Sequence, residues 1–231
     1  MDKRPGGGLA GRPLHFIWIA DCSGSMQADG KIQALNNAIR EAIPHLRDLA
    51  ARNPHAQILV RALAFSSGTR WHVPDPTPVE RLIWPDLLAY GYTDLGAALT
   101  EVASVLRSPP MEPRSLPPAL VLVSDGEPTD DFEAGIAALM AEPWGAKAVR
   151  LAIGIGRDAD TDVLQRFIGR PDIRPVTAAH PEQLVQLIRW ASTVASRAAS
   201  TPAVDPAGQR EQWRPPEQPR ISAGGRLPVT W

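Results

Sequence analysis

Three side chains with oxygen donors alternate along one short segment near the start of the chain. Asp21, Ser23 and Ser25 follow the apolar run of residues 14–20. Because an apolar run of this length that ends in turn residues is typical of a buried strand, we expect the three side chains in the loop at its carboxyl end. Carboxylate and hydroxyl oxygens are the ligands that Mg²⁺ prefers, so the segment predicts a hard-cation site. The pattern D-x-S-x-S is weak evidence when it stands alone.

Two further oxygen donors occupy comparable places later in the chain. Thr93 lies at the start of a predicted helix, and Asp125 follows the apolar run of residues 119–123. Ligand sites of open α/β sheets lie outside the carboxyl ends of the strands, so these side chains are expected near the first group. Taken singly, a serine can cap the following helix and Asp125 can be an ordinary turn acid. Their joint placement at one sheet edge favours a metal site.

Other acidic and imidazole side chains are alternative ligands. Asp94 and Asp130 lie close enough in sequence to be rival ligands or supporting groups, and we expect Asp94 to stabilise the start of the helix that follows it. The five histidines are scattered without the spacing of a zinc site. The proposed set is therefore Asp21, Ser23, Ser25, Thr93 and Asp125.

The elements that position these donors alternate between strands and helices. Apolar runs predict strands at residues 14–20, 57–65, 70–73, 119–123, 147–153 and 173–176. Apolar residues at helical spacing predict helices at residues 31–52, 93–106, 131–141, 162–168 and 181–196. The fold class is therefore α/β: a doubly wound, mostly parallel six-stranded sheet with helices on both faces.

Prolines mark the irregular parts of this predicted fold. The strand at 70–73 should be a short antiparallel edge strand because prolines follow it at once, and residues 74–92 should form a long irregular loop. Pro44 should kink the first helix or mark its edge. Residues 1–12 are predicted to be a flexible lead, residues 13–197 one domain, and residues 198–231 a disordered Pro-rich tail.

Composition limits the class of partner and the compartment. The formal net charge is −1, with the two signs mixed along the chain, so neither nucleic acid nor a membrane surface is expected as a partner. A single cysteine, Cys22, fits a reducing compartment, and the expected location is the cytoplasm. Cys22 is either a redox-sensitive thiol or a buried packing residue, and the second alternative is favoured.

The five donors resemble the metal-ion-dependent adhesion site of von Willebrand factor A domains. The similar segments are residues 21–26 (DCSGSM), 91–99 (GYTDLGAAL), 124–126 (SDG) and 152–156 (AIGIG). The segment 125–130 (DGEPTD) is most similar to bacterial tellurium-resistance A domains of the TerY type, which are associated with kinases and phosphatases. Tyr92 departs from the family pattern, which usually has a second glycine there, so the loop before Thr93 is expected to bend differently.

The resemblance implies a role for each donor. Ser23, Ser25 and Thr93 would offer hydroxyl oxygens to Mg²⁺, with Mn²⁺ or Ca²⁺ as alternatives, while Asp21 and Asp125 would bind directly or through water. Two carboxylates and three neutral hydroxyls leave the cation attractive to a sixth ligand, so an Asp or Glu of a partner protein can complete the octahedron.

Two classes of function follow from such a site. The first is a protein-binding module, because no nucleophile–base pair, P-loop or dinucleotide-binding glycine pattern is present and no catalytic residue is predicted. The alternative is a metal-assisted phosphoester hydrolase in which Mg²⁺ activates water. Hydrolases of that kind usually add a second metal or a positioned base, and the sequence offers neither.

Overall fold

The computed structural model describes residues 11–53, 55–156 and 159–200, without the side chains of 198–200. Most of the predicted lead (1–12) and nearly all of the predicted tail (198–231) therefore lie outside the described residues. The first strand begins at Arg12 and the last helix continues to Ser200. Among the described residues, no helix is long and apolar enough to cross a membrane.

One six-stranded sheet forms the middle layer. Its strands, in chain order, are β1 (Arg12–Asp21), β2 (Ala56–Ser66), β3 (Gly68–Pro78), β4 (Ala119–Ser124), β5 (Val149–Ile155) and β6 (Val176–Ala178). They lie in the order β3-β2-β1-β4-β5-β6, and only β3 runs antiparallel to its neighbour. The predicted sheet, mostly parallel with one antiparallel edge strand, is confirmed.

Helices cover the sheet. They are α1 (Lys31–Arg52), α2 (Leu95–Val105), α3 (Phe132–Ala141), α4 (Pro143–Lys147), α5 (Thr161–Ile168) and α6 (Pro181–Ser200). Short 3₁₀ helices span Gly24–Gly30 and Val79–Arg81. Helix α1 packs against α6, and α2 packs against α3.

The two central strands are buried along almost their whole length. Every residue of β4 is buried, and in β1 only Arg12 is exposed. Strands covered by helices on both faces require continuous apolar side chains, which is why β1 and β4 are apolar runs rather than alternating ones. The most strongly apolar stretches of the sequence therefore lie side by side in the middle of the sheet.

The predicted short edge strand is wrong in length. Strand β3 has 11 residues and runs through Pro74 and Pro76 to Pro78, so the irregular loop is shorter than predicted. An edge strand tolerates proline because one side of it needs no backbone N–H donors, and β3 pairs only with β2. A register shift between Val60 and Ala62 of β2 accompanies these prolines.

Other boundaries also differ from the prediction. Helix α1 continues through Pro44 to Arg52, so Pro44 does not mark its edge. Ile39, Ile43 and Leu46 remain buried around this proline, and their packing offsets the lost backbone hydrogen bond. Strand β6 begins at Val176, whereas the sequence predicted a strand at residues 173–176. Helix α4 and both 3₁₀ helices were not predicted.

Candidate metal centre

The predicted donors lie where the strand order reverses. Asp21 is the last residue of β1, Asp125 directly follows β4, and the two strands are parallel neighbours with Ala20 opposite Val123. β1 continues through α1 toward one edge of the sheet, whereas β4 continues toward the other, which opens a crevice between their carboxyl ends. Such a topological switch point is the usual place for a ligand on a doubly wound sheet.

A continuous chain of hydrogen bonds joins four of the five predicted donors. Asp21 Oδ1 accepts from the Ser23 amide at 2.8 Å, and the hydroxyls of Ser23 and Ser25 lie 2.9 Å apart. The Ser25 hydroxyl donates to Asp125 Oδ1 at 2.7 Å. Ser25 and Asp125 are 100 positions apart in sequence, so it is the fold that brings the two carboxylates into one cluster.

Thr93 lies beside this chain of hydrogen bonds. A Cβ placed on Gly126 would be 4.0 Å from Thr93 Oγ1, so the threonine hydroxyl lies next to the segment that carries Asp125. The Thr93 amide donates to Thr129 Oγ1 at 3.0 Å, and its carbonyl accepts from the Thr129 amide at 2.9 Å. Among the described residues its hydroxyl has no hydrogen-bond partner, although Thr93 is 7% exposed. That oxygen is therefore available to a ligand.

The loop before Thr93 is held against the loop after β1. The Gly24 amide donates to the Gly91 carbonyl at 2.9 Å, and the Tyr90 amide donates to the Cys22 carbonyl at 2.7 Å. Gly91 has a φ of 74°, and a Cβ there would lie 2.4 Å from the Ser67 hydroxyl oxygen. Only glycine satisfies both conditions. Thr93 lies beside the segment of Asp125 with Tyr92 directly before it, and the predicted difference in the bend of this loop stays a prediction.

Burial raises the pKa of the Asp21 carboxyl. The side chain is removed from water, and the nearby negative charge of Asp125 acts in the same direction. Hydrogen bonds from Ser124 (2.6 Å to Oδ2) and Ser23 oppose that effect, since they stabilise the charged form. Two buried carboxylates close to each other repel, so a cation between them would stabilise their charged forms.

Lys31 and Ser124 belong to the cluster and were not predicted as site residues. Lys31 Nζ lies 2.7 Å from Asp125 Oδ2, and the Ser124 hydroxyl bonds to Asp21. Two signals in the sequence could have pointed to them. Ser124 is a polar residue that ends an otherwise apolar strand, and Lys31 begins a helix, where a cation opposes the helix dipole.

Asp94 is the N-cap residue of α2, as expected, but its side chain does not make the cap hydrogen bond. Its carboxylate accepts from the Gly68 amide at 2.7 Å and from Thr129 Oγ1 at 3.3 Å, and it makes no side-chain cap bond to α2. The α2 amides of Gly96 and Ala97 instead donate to Asp130, at 2.8 and 2.7 Å. Both rival acids are thus engaged in holding the loops around Thr93.

The chemistry of the donor set fits a hard divalent cation. No group of three or more His, Cys, Asp or Glu side chains is gathered in the described part of the chain, so a thiolate- or imidazole-based centre has no ligand set there. Two carboxylates with three hydroxyl oxygens match the oxygen-only preference of Mg²⁺. The Thr93 hydroxyl, which has no hydrogen-bond partner among the described residues, can serve as one of these oxygen ligands.

Comparison with protein families decides the identity of the domain. The family model described as von Willebrand factor type A domain matches residues 17–190. The chain belongs to the von Willebrand factor type A family. Such A domains commonly mediate protein interactions through a metal-ion-dependent adhesion site, abbreviated MIDAS. A comparison with curated protein sequences finds no match.

Solved A-domain structures share the fold at low identity. A von Willebrand factor type A protein from Catenulispora acidiphila is 20% identical with a TM-score of 0.59, covering 80% of this chain and 43% of its own. Proximal thread matrix protein 1 from the mussel byssus, whose MIDAS holds zinc, is 16% identical with a TM-score of 0.57, covering 81% and 46%. The pilus adhesin SpaC from Lactobacillus rhamnosus GG is 13% identical with a TM-score of 0.60, covering 81% and 30%. The chain thus spans less than half the length of these proteins, and the likeness concerns the fold.

Proposed function

We propose that this A domain is a protein-interaction module whose metal site binds an acidic side chain of a partner. The proposed ligands are Asp21, Ser23, Ser25, Thr93 and Asp125, and the proposed cation is Mg²⁺, with Mn²⁺ or Ca²⁺ as alternatives. The observation that carries this proposal is the unbroken hydrogen-bonded chain from Asp21 through both serines to Asp125. A divalent ion can replace those hydrogen bonds with metal–oxygen bonds without a change of fold.

The charge of the donor set favours an external carboxylate as the last ligand. Hydroxyl oxygens are neutral, so two carboxylates only balance a divalent ion, and Lys31 adds one positive charge beside them. A cation coordinated in this way retains a strong pull on an anionic ligand. Charge pairing at a protein interface gives specificity as well as affinity.

The segment that leads to Thr93 carries exposed apolar and aromatic side chains. Leu88 and Tyr92 are each 71% exposed and Tyr90 is 51% exposed, on the segment that leads to Thr93. Exposed apolar side chains gathered beside a polar site are typical of protein-interaction surfaces. We infer that the partner's acidic residue is flanked by apolar side chains that pack against this segment.

The narrower parts of the proposal rest on the sequence alone. The segment 125–130 supports membership of the TerY-like subgroup, with a kinase or phosphatase as partner in a signalling or stress system such as tellurium resistance. The cytoplasm is the proposed location, and the mixed charges argue against nucleic acid and membrane partners. A non-enzymatic role is proposed over the phosphoester hydrolase, which no feature of the site favours.

Metal binding is tested by titration calorimetry and by thermal unfolding with and without Mg²⁺. A ligand at 100 times its dissociation constant stabilises the native state by about 2.7 kcal/mol, so wild-type protein should melt at a higher temperature in Mg²⁺ than in EDTA. We expect Asp21→Asn and Ser25→Ala to lose at least about tenfold in Mg²⁺ affinity, since each removes a ligand. Asp172→Asn, an exposed carboxylate paired with Arg170, is the matched control and should bind Mg²⁺ like wild type.

Partner recognition is tested with an array of peptides that each carry one Asp or Glu between apolar residues. Binding should require Mg²⁺ and should disappear when the peptide acid becomes its amide. Peptide binding that persists in EDTA would contradict the proposed function. Wild-type peptide affinity in folded Asp21→Asn, at a Mg²⁺ concentration that fills the wild-type site but not that of the variant, would contradict it as well. The same preparations are assayed for phosphoester turnover, and Mg²⁺-dependent turnover that Asp125→Ala abolishes would favour the hydrolase.

A further inference from the structure

The ammonium group of Lys31 binds the same carboxylate that the proposed metal needs. Lys31 Nζ lies 2.7 Å from Asp125 Oδ2, and the other oxygen, Oδ1, accepts from the Ser25 hydroxyl at 2.7 Å. The Asp125 side chain is fully buried and the Lys31 side chain is 14% exposed. The ion pair is thus a largely desolvated contact between a lysine and a proposed metal ligand.

The position of Lys31 in α1 calls for an explanation outside that helix. It is the first residue of a 22-residue helix whose first turn contains no acidic side chain. A cation there is repelled by the positive end of the helix dipole. The contact with Asp125 compensates for that repulsion, and it supplies the countercharge that a buried carboxylate requires. A lysine therefore fits this place because of the carboxylate, not because of the helix.

We propose that Lys31 is an intramolecular competitor of the divalent cation and sets the affinity of the site for metal. This inference rests on the proposed function in one respect, namely that Asp125 takes part in metal binding. A divalent ion that approaches Asp125 must either displace the ammonium group or bind with a positive charge beside it. Both alternatives weaken metal binding relative to a site with a neutral side chain at this position.

The same charge has the opposite effect on an acidic partner. Asp21, Asp125 and Lys31 together carry a formal charge of −1, so a divalent cation brings the cluster to +1. With a neutral residue at position 31, the loaded cluster would have no net charge and would attract a carboxylate less strongly. Lys31 therefore weakens metal binding and strengthens the binding of an acidic ligand by the loaded site.

The test is Mg²⁺ titration of Lys31→Met, which keeps the apolar stem and removes the charge. We expect its dissociation constant for Mg²⁺ to fall by about tenfold or more relative to wild type. In EDTA this variant should melt at a lower temperature than wild type, because Asp125 loses its countercharge. Lys147→Met, which removes a lysine at the end of α4, is the matched control. It should have the Mg²⁺ dissociation constant of wild type, and no change in its melting temperature should arise from the site.

A second variant and a second measurement separate the outcomes. Lys31→Gln keeps a hydrogen-bond donor for Asp125 without the charge, so it should also tighten Mg²⁺ binding, and it serves if Lys31→Met does not fold. Both variants saturated with Mg²⁺ should bind an Asp-containing peptide more weakly than saturated wild type does.

Unchanged or weaker Mg²⁺ affinity in both variants overturns the inference and leaves the proposed function intact. The absence of Mg²⁺ binding from wild type and variants alike would overturn both. Binding by the variants alone would support competition by Lys31 and would contradict the proposed metal-dependent function of the wild-type protein.

Discussion

Cys22 lies between two proposed metal ligands, yet its side chain belongs to the core. It is 2% exposed, and burial, assisted by the negative charge of Asp21, raises the pKa of the thiol to about 12. A thiolate is the reactive form, so a thiol with such a pKa is inert at neutral pH. The structure thus favours the packing alternative for Cys22 over a redox-sensitive one.

A thiol-reactive dye measures this directly. Ellman's reagent at pH 8 should label native protein at most slowly, and it should label one thiol per chain at once in guanidinium chloride, since Cys22 is the only cysteine. Cys22→Ala provides the blank. Rapid labelling of the native protein would mean that the loop between Asp21 and Ser23 opens, contrary to the buried position of Cys22.

The site residues that could be predicted are those whose place follows from a strand end. Asp21 and Asp125 directly follow the two most apolar runs, so the topology alone brings them together. Lys31 could not be placed in the same way, because its contact with Asp125 depends on how far a side chain extends from the start of α1. The carboxylate that caps α2 could not be predicted for a similar reason: Asp94 holds the N-cap position in sequence, but the Gly96 and Ala97 amides donate to Asp130.

At the scale of elements, helix α2 fixes Thr93 through its contact with the segment after β4. A Cβ on Gly135 of α3 would lie 2.5 Å from the Gly96 carbonyl oxygen, so α2 and α3 touch through their backbones. Asp130 caps α2 from the loop that precedes α3, with two hydrogen bonds of 2.7–2.8 Å. The loop after β4 thereby positions a donor that comes from a different part of the chain.

This coupling predicts different consequences for two neighbouring caps. Asp130→Ala removes the cap of α2 and should lower the free energy of unfolding by about 1 kcal/mol. It should also weaken Mg²⁺ binding severalfold, because Thr93 lies at the start of that helix. Asp131→Ala removes the cap of α3, where the carboxylate accepts from the Ala134 amide at 2.9 Å, and should lose similar stability without the loss of affinity. Urea unfolding and Mg²⁺ titration of both variants check this, and equal affinities would contradict it.

The elements that the sequence predicted least well are those in which packing overrides a local rule. Prolines usually end strands, yet β3 continues through Pro74 and Pro76 because an edge strand needs hydrogen bonds on one side only. A proline usually interrupts a helix, yet α1 continues through Pro44 because the buried face of the helix packs against the core on both sides of this residue. The apolar runs and the helical spacing gave the correct order of elements because they reflect burial itself.

At the scale of the whole molecule, the sheet order determines which chain segments can share a ligand. Donors from three separate segments meet only because β1 and β4 are neighbours although residues 22–118 lie between them. The two halves of the fold are therefore linked at the site by Asp21, Ser25 and Asp125, as well as by the core. A cation bound there should stabilise the entire domain, since unfolding either half destroys the ligand set.

The pH dependence of global stability should depend on a histidine of the central strand. His15 is 9% exposed, and burial, assisted by the positive charge of Arg61, lowers its pKa, while Glu112 acts in the opposite direction. Below the ordinary histidine pKa of about 6.5, the unfolded chain binds a proton that the native protein does not yet bind. The free energy of unfolding should therefore fall as the pH is lowered from 7.5 to 5.5.

Urea unfolding at pH 7.5, 6.5 and 5.5 separates the contribution of His15 from that of other groups. His15→Gln cannot bind the proton, so its free energy of unfolding should fall less steeply over this range than that of wild type. A residual slope is expected in His15→Gln because burial also lowers the pKa of His72. Identical slopes for wild type and His15→Gln would mean that His15 is protonated as readily in the native protein as in the unfolded chain, contrary to its place in the middle of the sheet.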